Sequence, residues 1–218
     1  DEPVKVDFKG NDMELHSRGK AVELSDKLML LPLNGSGPSY RANPIESILA
    51  VSKDKGLNWE FYSTIAKSDT VDFYETTVYR TPKGKLVAFI RGICREYKSD
   101  CGLYYCESYD NGLTWNEVKR ASFEVSSTVF DVITLNDGNA LLTYGYRKEP
   151  YGIRARILNS ECTNIDSSKE YILRDDGLGP DIGYSASAQL LDGRILVVYY
   201  FYGQDNIRYI AGTFCEYK

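Results

Sequence analysis

The sequence predicts an all-β protein, a β-propeller of four-stranded antiparallel blades, and three observations carry that reading. Four hairpin turns recur: Ser25-Asp26-Lys27, Pro82-Lys83-Gly84, Asn136-Asp137-Gly138 and Leu191-Asp192-Gly193. Their last positions are 27, 84, 138 and 193, so they stand 57, 54 and 55 residues apart. A second signature, S-x-D-x-G-x-[NT]-W, runs over Ser52–Trp59 and again over Ser108–Trp115, an offset of 56. No stretch shows the apolar period of an amphipathic helix. Repeats of this length built from short strands cannot bury their own faces, and stacking them radially gives a propeller.

Each hairpin turn separates two strands. After it comes a continuous apolar run, namely Leu28–Leu33, Leu86–Ile90, Ala140–Tyr144 and Arg194–Phe201, as a strand covered on both faces requires. Before it comes a strand such as Glu75–Arg80 or Ser185–Leu190. Asp-Gly and Lys-Gly supply the positive φ of tight hairpins. In the tryptophan signature the aspartate accepts backbone N–H bonds, the glycine takes the left-handed conformation, and the tryptophan pins the turn to its blade. Asp54 and Asp110 are therefore read as turn residues, and Trp59 and Trp115 as core pins. A degenerate third copy falls at Asn159–Ile165, without the glycine or tryptophan.

The second unit reads as Glu75–Arg80, Leu86–Arg91, Leu103–Tyr109 and Thr114–Lys119. Blades are placed at about 9–66, 67–122, 123–176 and 177–218, with 2–8 as an outer strand of a neighbouring or closing blade. The last unit shows three strands, Ser185–Leu190, Arg194–Phe201 and Ile207–Phe214. Either the two ends close four blades by strand exchange, or the chain is part of a larger propeller that begins upstream. An unclosed ring would expose strand edges and invite self-association, a liability that proteins usually avoid, and the family resemblance below makes the second the favoured expectation. The chain starts at Asp1 with no methionine and no apolar leader, which reads as a processed or cut chain.

Composition narrows the function classes. Of 218 residues 43% are hydrophobic and 26% charged, an ordinary globular balance. A net charge of −5 leaves no basic surface for a phosphate backbone, which argues against nucleic acid. No apolar run is long enough for a membrane span. One histidine and five scattered cysteines do not make a zinc site, and no cofactor or metal is expected. Cys94 and Cys101 flank one loop and form the pair able to join in an oxidising compartment. Tyrosine is enriched, 18 against 8 phenylalanines. Its ring packs between blades while its hydroxyl suits a sugar-facing surface.

The two tryptophan turns resemble the Asp-box repeat of the sialidase (neuraminidase) superfamily. Phe73-Tyr74-Glu75-Thr76-Thr77-Val78 through Ile90-Arg91 is similar to the segment that carries an active-site glutamate and, sixteen residues on, an arginine (91 − 75 = 16). Asp181-Ile182-Gly183-Tyr184-Ser185 is similar to the segment that carries the nucleophilic tyrosine. The resemblance covers essentially the whole chain and implies a six-bladed propeller, retaining hydrolysis of acidic sugars and a secreted or periplasmic location. It implies Tyr184 as nucleophile and Glu75 as its base, since a neutral phenol escapes repulsion by the substrate's own carboxylate. It implies Arg91 and a third-blade arginine, Arg147 in preference to Arg154, as a carboxylate clamp.

The departures are equally specific. No arginine-isoleucine-proline motif is present, and Arg18 is a poor substitute for its arginine. No acid/base aspartate is found. Tyr200 stands sixteen residues after Tyr184, where the family places a glutamate. Asp181 and Tyr200 are counted with the substrate-facing residues. Asp175, Asp176 and Asp181 otherwise read as a hydrogen-bonding loop, with calcium a minor alternative, and His16 as an ordinary polar residue. The expected partner is a glycan or small acidic sugar. The rival readings are a non-catalytic carbohydrate-binding propeller, a glycosidase or lyase of other sugar specificity, and a protein-interaction propeller.

Overall fold

Every apolar run bounded by a tight turn becomes a strand in the computed structural model, which describes residues 8–9, 14–36, 43–125, 129–203 and 207–217. The first blade contains β1 (Phe8–Lys9), β2 (Glu14–His16), β3 (Val22–Glu23), β4 (Met29–Ser36), β5 (Glu46–Ser52) and β6 (Trp59–Ala66). The second contains β7 (Val71–Arg80), β8 (Leu86–Cys94), β9 (Ser99–Ser108) and β10 (Lys119–Arg120). The third contains β11 (Asp131–Thr134), β12 (Ala140–Tyr146), β13 (Tyr151–Leu158) and β14 (Glu170–Gly177). The fourth contains β15 (Gly183–Gln189), β16 (Ile195–Tyr202) and β17 (Arg208–Cys215). The protein is an all-β propeller of four antiparallel blades.

Two expected strands differ. Thr114–Lys119 shrinks to β10, because residues 110–115 are spent on the turn and only Lys119 and Arg120 pair with β9. The outer strand expected at 2–8 lies almost wholly outside the described residues. Its last residue, Phe8, starts β1, which pairs in parallel with β6 at the outer edge of the first blade, Phe8 opposite Trp59.

The period-two alternation of a strand divides each run between two cores. Along β8, Leu86, Ala88 and Ile90 pack towards the first blade with Leu30, Leu49 and Phe73. Val87 and Phe89 pack the other way, with Phe130, Leu142 and Tyr144 of the third. Leu141 of β12 faces Ile195, Val197 and Tyr199 of the fourth. The run in β16 behaves differently: Ile195, Val197, Tyr199 and Phe201 are buried, while the alternate residues are only half-buried. Hydroxyls tie neighbouring blades together. Ser47 Oγ lies 2.6 Å from Thr76 Oγ1, Thr77 Oγ1 donates to the Phe130 carbonyl at 2.5 Å, and Thr143 Oγ1 donates to Ser185 Oγ at 3.0 Å.

The tryptophan turns behave as local capping devices. Asp54 Oδ1 accepts the Asn58 N–H and Asp110 Oδ1 the Thr114 N–H, both at 2.9 Å. Ser52 and Ser108 accept the N–H groups of Gly56 and Gly112 at 2.8 Å. Asn159 Oδ1 takes the Thr163 N–H at 3.0 Å, so the degenerate copy keeps the same four-residue reach. Trp115 Nε1 donates to Ser63 Oγ, which in turn donates to the Gly112 carbonyl at 2.6 Å, fastening the second blade to the outer strand of the first. The register sets Ser52 opposite Met29 and Ser108 opposite Leu86. These turns therefore share one end of the propeller, the base, with the hairpin turns. The other end is the mouth.

Cys94 and Cys101 form a disulfide across the β8–β9 hairpin, while Cys106, Cys162 and Cys215 are free. Denatured protein is expected to expose three thiols to a thiol reagent without reductant and five after reduction; five in both conditions would refute the bond. Gly112 has φ +87°, and a Cβ there would meet Leu49 Cδ2 at 2.6 Å, whereas Gly138, also at +87°, opens onto space. Gly138→Ala is expected to cost about 1–2 kcal/mol of stability in urea unfolding, the left-handed penalty alone. Gly112→Ala adds overpacking of about 1–3 kcal/mol. Equal losses at both positions would contradict this packing.

Candidate functional site

The repeat aligns the mouth. Counting back nine residues from turn positions 27, 84, 138 and 193 gives Arg18, Glu75, Val129 and Tyr184. Counting forward seven gives Asn34, Arg91, Gly145 and Tyr200. In the second and fourth blades the first set sits at irregularities of the inner strand, between Tyr74 and Thr77 and between Gly183 and Ala186. Glu75 and Tyr184 have φ of 50° and 52°, a conformation that non-glycine residues hold only where the surroundings enforce it. Each bulge turns one extra side chain out of the ladder and towards the axis.

Glu75 is the hub. Its Oε2 accepts Arg91 Nη1 at 2.7 Å, its Oε1 accepts the Tyr184 hydroxyl, and its N–H donates to Asn34 Oδ1 at 3.2 Å. The carboxylate is buried, at 10% side-chain exposure, and Arg91 nearly so. Burial raises the Tyr184 pKa, as do the hydrogen bond and charge of Glu75, while Arg91 and Arg147 pull it down. The phenol therefore stays protonated through neutral pH and bonded to its acceptor. For Arg91, burial opposes the charge, but the charge and hydrogen bond of Glu75 together outweigh it and raise the pKa.

Two further arginines flank the Tyr184 ring, with Cζ atoms 5.8 Å (Arg18) and 5.9 Å (Arg147) from its centroid. Among the described residues no carboxylate lies within ion-pair distance of either. Arg147 is instead held by neutral acceptors, the Ile182 carbonyl at 3.0 Å and the Tyr200 hydroxyl at 2.7 Å. Tyr200 passes its own proton to Asp181 Oδ1 at 2.9 Å, and Arg208 Nε reaches Asp181 Oδ2 at 2.8 Å. Burial pushes the Tyr200 pKa up to about 12. The hydrogen bonds of Tyr200 and Arg208 hold Asp181 below the usual carboxylate range. A cavity of about 210 Å³ beside this cluster is lined by Arg18, Lys20, Thr77, Asp131, Tyr184 and Ser185, among others.

The structure brings most of the expected positions into one cluster. Tyr184, Glu75, Arg91, Arg147, Tyr200 and Asp181 come together, and Arg18, expected to be a poor substitute, faces Tyr184. Arg154 does not join them. Its guanidinium is buried between β13 and β14, bonded to the Arg174 and Pro150 carbonyls and stacked 4.7 Å from the Tyr146 ring. Its position on the third strand of the blade carries it away from the axis. Asp175 and Asp176 close no ion site with Asp181: Asp176 is paired with Arg174 and Asp181 with Arg208. Among the described residues no cluster of His, Cys, Asp or Glu could hold a metal. His16 lies exposed near Glu14. Asn34, Lys20 and Asp131 were missed. The spacing of sixteen that joins Glu75 to Arg91 also joins Arg18 to Asn34, and would have found the first. Asp131 accepts Lys20 Nζ at 2.7 Å and the Ser187 N–H at 2.6 Å, and nothing in the sequence signals that pairing.

Comparison with known proteins fits this picture. The chain is 35% identical to a structurally characterised protein of unknown function from Dyadobacter fermentans, with a TM-score of 0.85 over 94% of this chain and 54% of that one. The chain thus spans about half the length of that relative. The GH93 α-L-arabinofuranosidase of Fusarium graminearum superposes with a TM-score of 0.62 at 18% identity, over 88% of this chain and 61% of the enzyme. The NanB sialidase of Streptococcus pneumoniae gives 0.57 at 18% identity, over 90% of this chain and 30% of the enzyme. At those identities the likeness is one of fold, a propeller shared with glycoside hydrolases. No curated protein matches the sequence. The profile of the BNR repeat-like domain matches residues 11–197, and the chain belongs to that family.

Proposed function

We propose that the mouth binds an acidic sugar and hydrolyses its glycosidic bond with retention, Tyr184 acting as nucleophile and Glu75 as its base. The observation that carries this reading is the Tyr184 hydroxyl bonded to a buried carboxylate that Arg91 orients. Attack on the anomeric carbon would break its bond to the leaving oxygen, which departs as aryloxide from an aryl glycoside, while the phenolic proton passes to Glu75; water, giving a proton back through Glu75, would then displace Tyr184 and release the sugar. Arg18 and Arg147, which have no carboxylate partner among the described residues, supply positive charge on either side of the ring where a sugar carboxylate would sit.

A binding-only role is the second reading, and a specific observation favours it. The sequence offers no match to the acid that would protonate a leaving oxygen, and Asp131, beside the cavity, already accepts hydrogen bonds from Lys20 and the Ser187 N–H. An aryl sialoside separates the two readings, because its leaving group needs little protonation. The disulfide suits an oxidising compartment, in keeping with a secreted or periplasmic protein. Self-association is proposed through the free side of β17, which exposes Ile210 and Phe214.

Hydrolysis of an aryl sialoside is expected for the unaltered protein and is expected to fall by at least about 100-fold in Tyr184→Phe, the scale of losing an activated nucleophile. Sialic acid binding in calorimetry should survive that change. Arg18→Ala should weaken the same binding by about 1.5–3 kcal/mol, the range for hydrogen bonds to charged groups. Binding without turnover would leave the lectin reading standing. No heat with sialic acid would remove both.

A further inference from the structure

The contact between Tyr200 and Arg147 does something that nucleophile, base and clamp do not require. Arg147 is fixed at two points, by the Ile182 carbonyl and by the Tyr200 hydroxyl, and both acceptors are neutral. Asp181, the carboxylate that accepts the Tyr200 hydroxyl, is already paired with Arg208. We propose that Tyr200 is a positioning residue that holds the Arg147 guanidinium beside Tyr184 without neutralising it, leaving its charge for an anionic ligand. This inference rests on the acidic-sugar reading for the identity of the ligand.

The physical choice is between two ways to hold an arginine. A carboxylate at position 200 would anchor it as firmly and cancel its charge in the same contact. A phenol accepts one hydrogen bond, contributes no charge, and disposes of its own proton outward to Asp181. The ring also packs 5.7 Å from that of Tyr184, so one residue sets both the clamp and the wall behind the nucleophile. The groups facing Tyr200 are Arg147 just after β12, Asp181 from the loop before β15, Tyr184 from β15 and Arg208 from β17, with Arg18 across the Tyr184 ring.

Three variants test the assignment, with sialic acid as the probe in titration calorimetry. Tyr200→Phe keeps the ring and removes the acceptor, and is expected to weaken binding about tenfold. Tyr200→Gln and Tyr200→Glu have the same shape and differ in charge. At pH 7 the Gln variant should bind about tenfold more tightly than the Glu variant, and the gap should close as pH falls and the introduced carboxyl is protonated. Equal affinities of these two variants at every pH would overturn the proposal. A second readout needs no sugar. The Arg147 Nε–H resonance, assigned by its loss in Arg147→Met, should exchange with solvent at least tenfold faster in Tyr200→Phe than in the unaltered protein. If the unaltered protein binds no sialic acid, the acidic-sugar reading fails while this exchange measurement still decides the role of Tyr200. An unchanged exchange rate would overturn it.

Discussion

A β-blade has two apolar faces and no core of its own, and that constraint organises the molecule. Every interior strand must be covered from both sides, so the blades can only be stabilised by one another. Val87 and Leu86 are adjacent in sequence yet belong to different cores, one shared with the third blade and one with the first. Charged groups are thereby driven out of the inter-blade layers to the two ends. At the mouth they converge on an axis where no backbone needs them for pairing.

Convergence alone does not make a site. The inner strands of the second and fourth blades depart from regular pairing at Glu75 and Tyr184, and both residues occupy the left-handed region. Such a conformation costs on the order of 1–3 kcal/mol per residue. Here it is held by the Asn34 bond to the Glu75 N–H and by the Tyr184–Glu75–Arg91 chain itself. The polar groups of the mouth thus support the geometry they also use. Among the described residues two of the arginines in the cluster are paired with carboxylates, Arg91 and Arg208, while Arg18 and Arg147 are not.

The architecture was legible because the turn chemistry repeats: positions 27, 84, 138 and 193 fix the strands on either side. Glu75 and Tyr184 were picked out by their resemblance to family segments, and the repeat places them at equivalent positions in two blades. What the sequence hides is side-chain choice between faces. Arg154 and Arg147 lie seven residues apart in one hairpin, yet one caps backbone carbonyls inside the blade and the other reaches the axis. The strand end at Thr114–Lys119 was lost because turn and strand compete for the same polar residues, and the Asp110 cap took those nearest to it. Pairings between distant blades, such as Lys20 with Asp131, depend on how the blades are arranged and leave no local trace.

The tryptophan turns occupy the base, and the Glu75–Tyr184 cluster occupies the opposite end of the same strands. The turns that fasten one blade to the next at the base are therefore separate from the cluster at the mouth. A side chain at the mouth can be exchanged without loosening Trp115 from Ser63 or Asp110 from Thr114. A scaffold divided in this way can be re-specified for a new ligand by a handful of axial positions. One fold can then serve unrelated sugar chemistries, and shared blades say less about the substrate than the eight positions that ring the mouth.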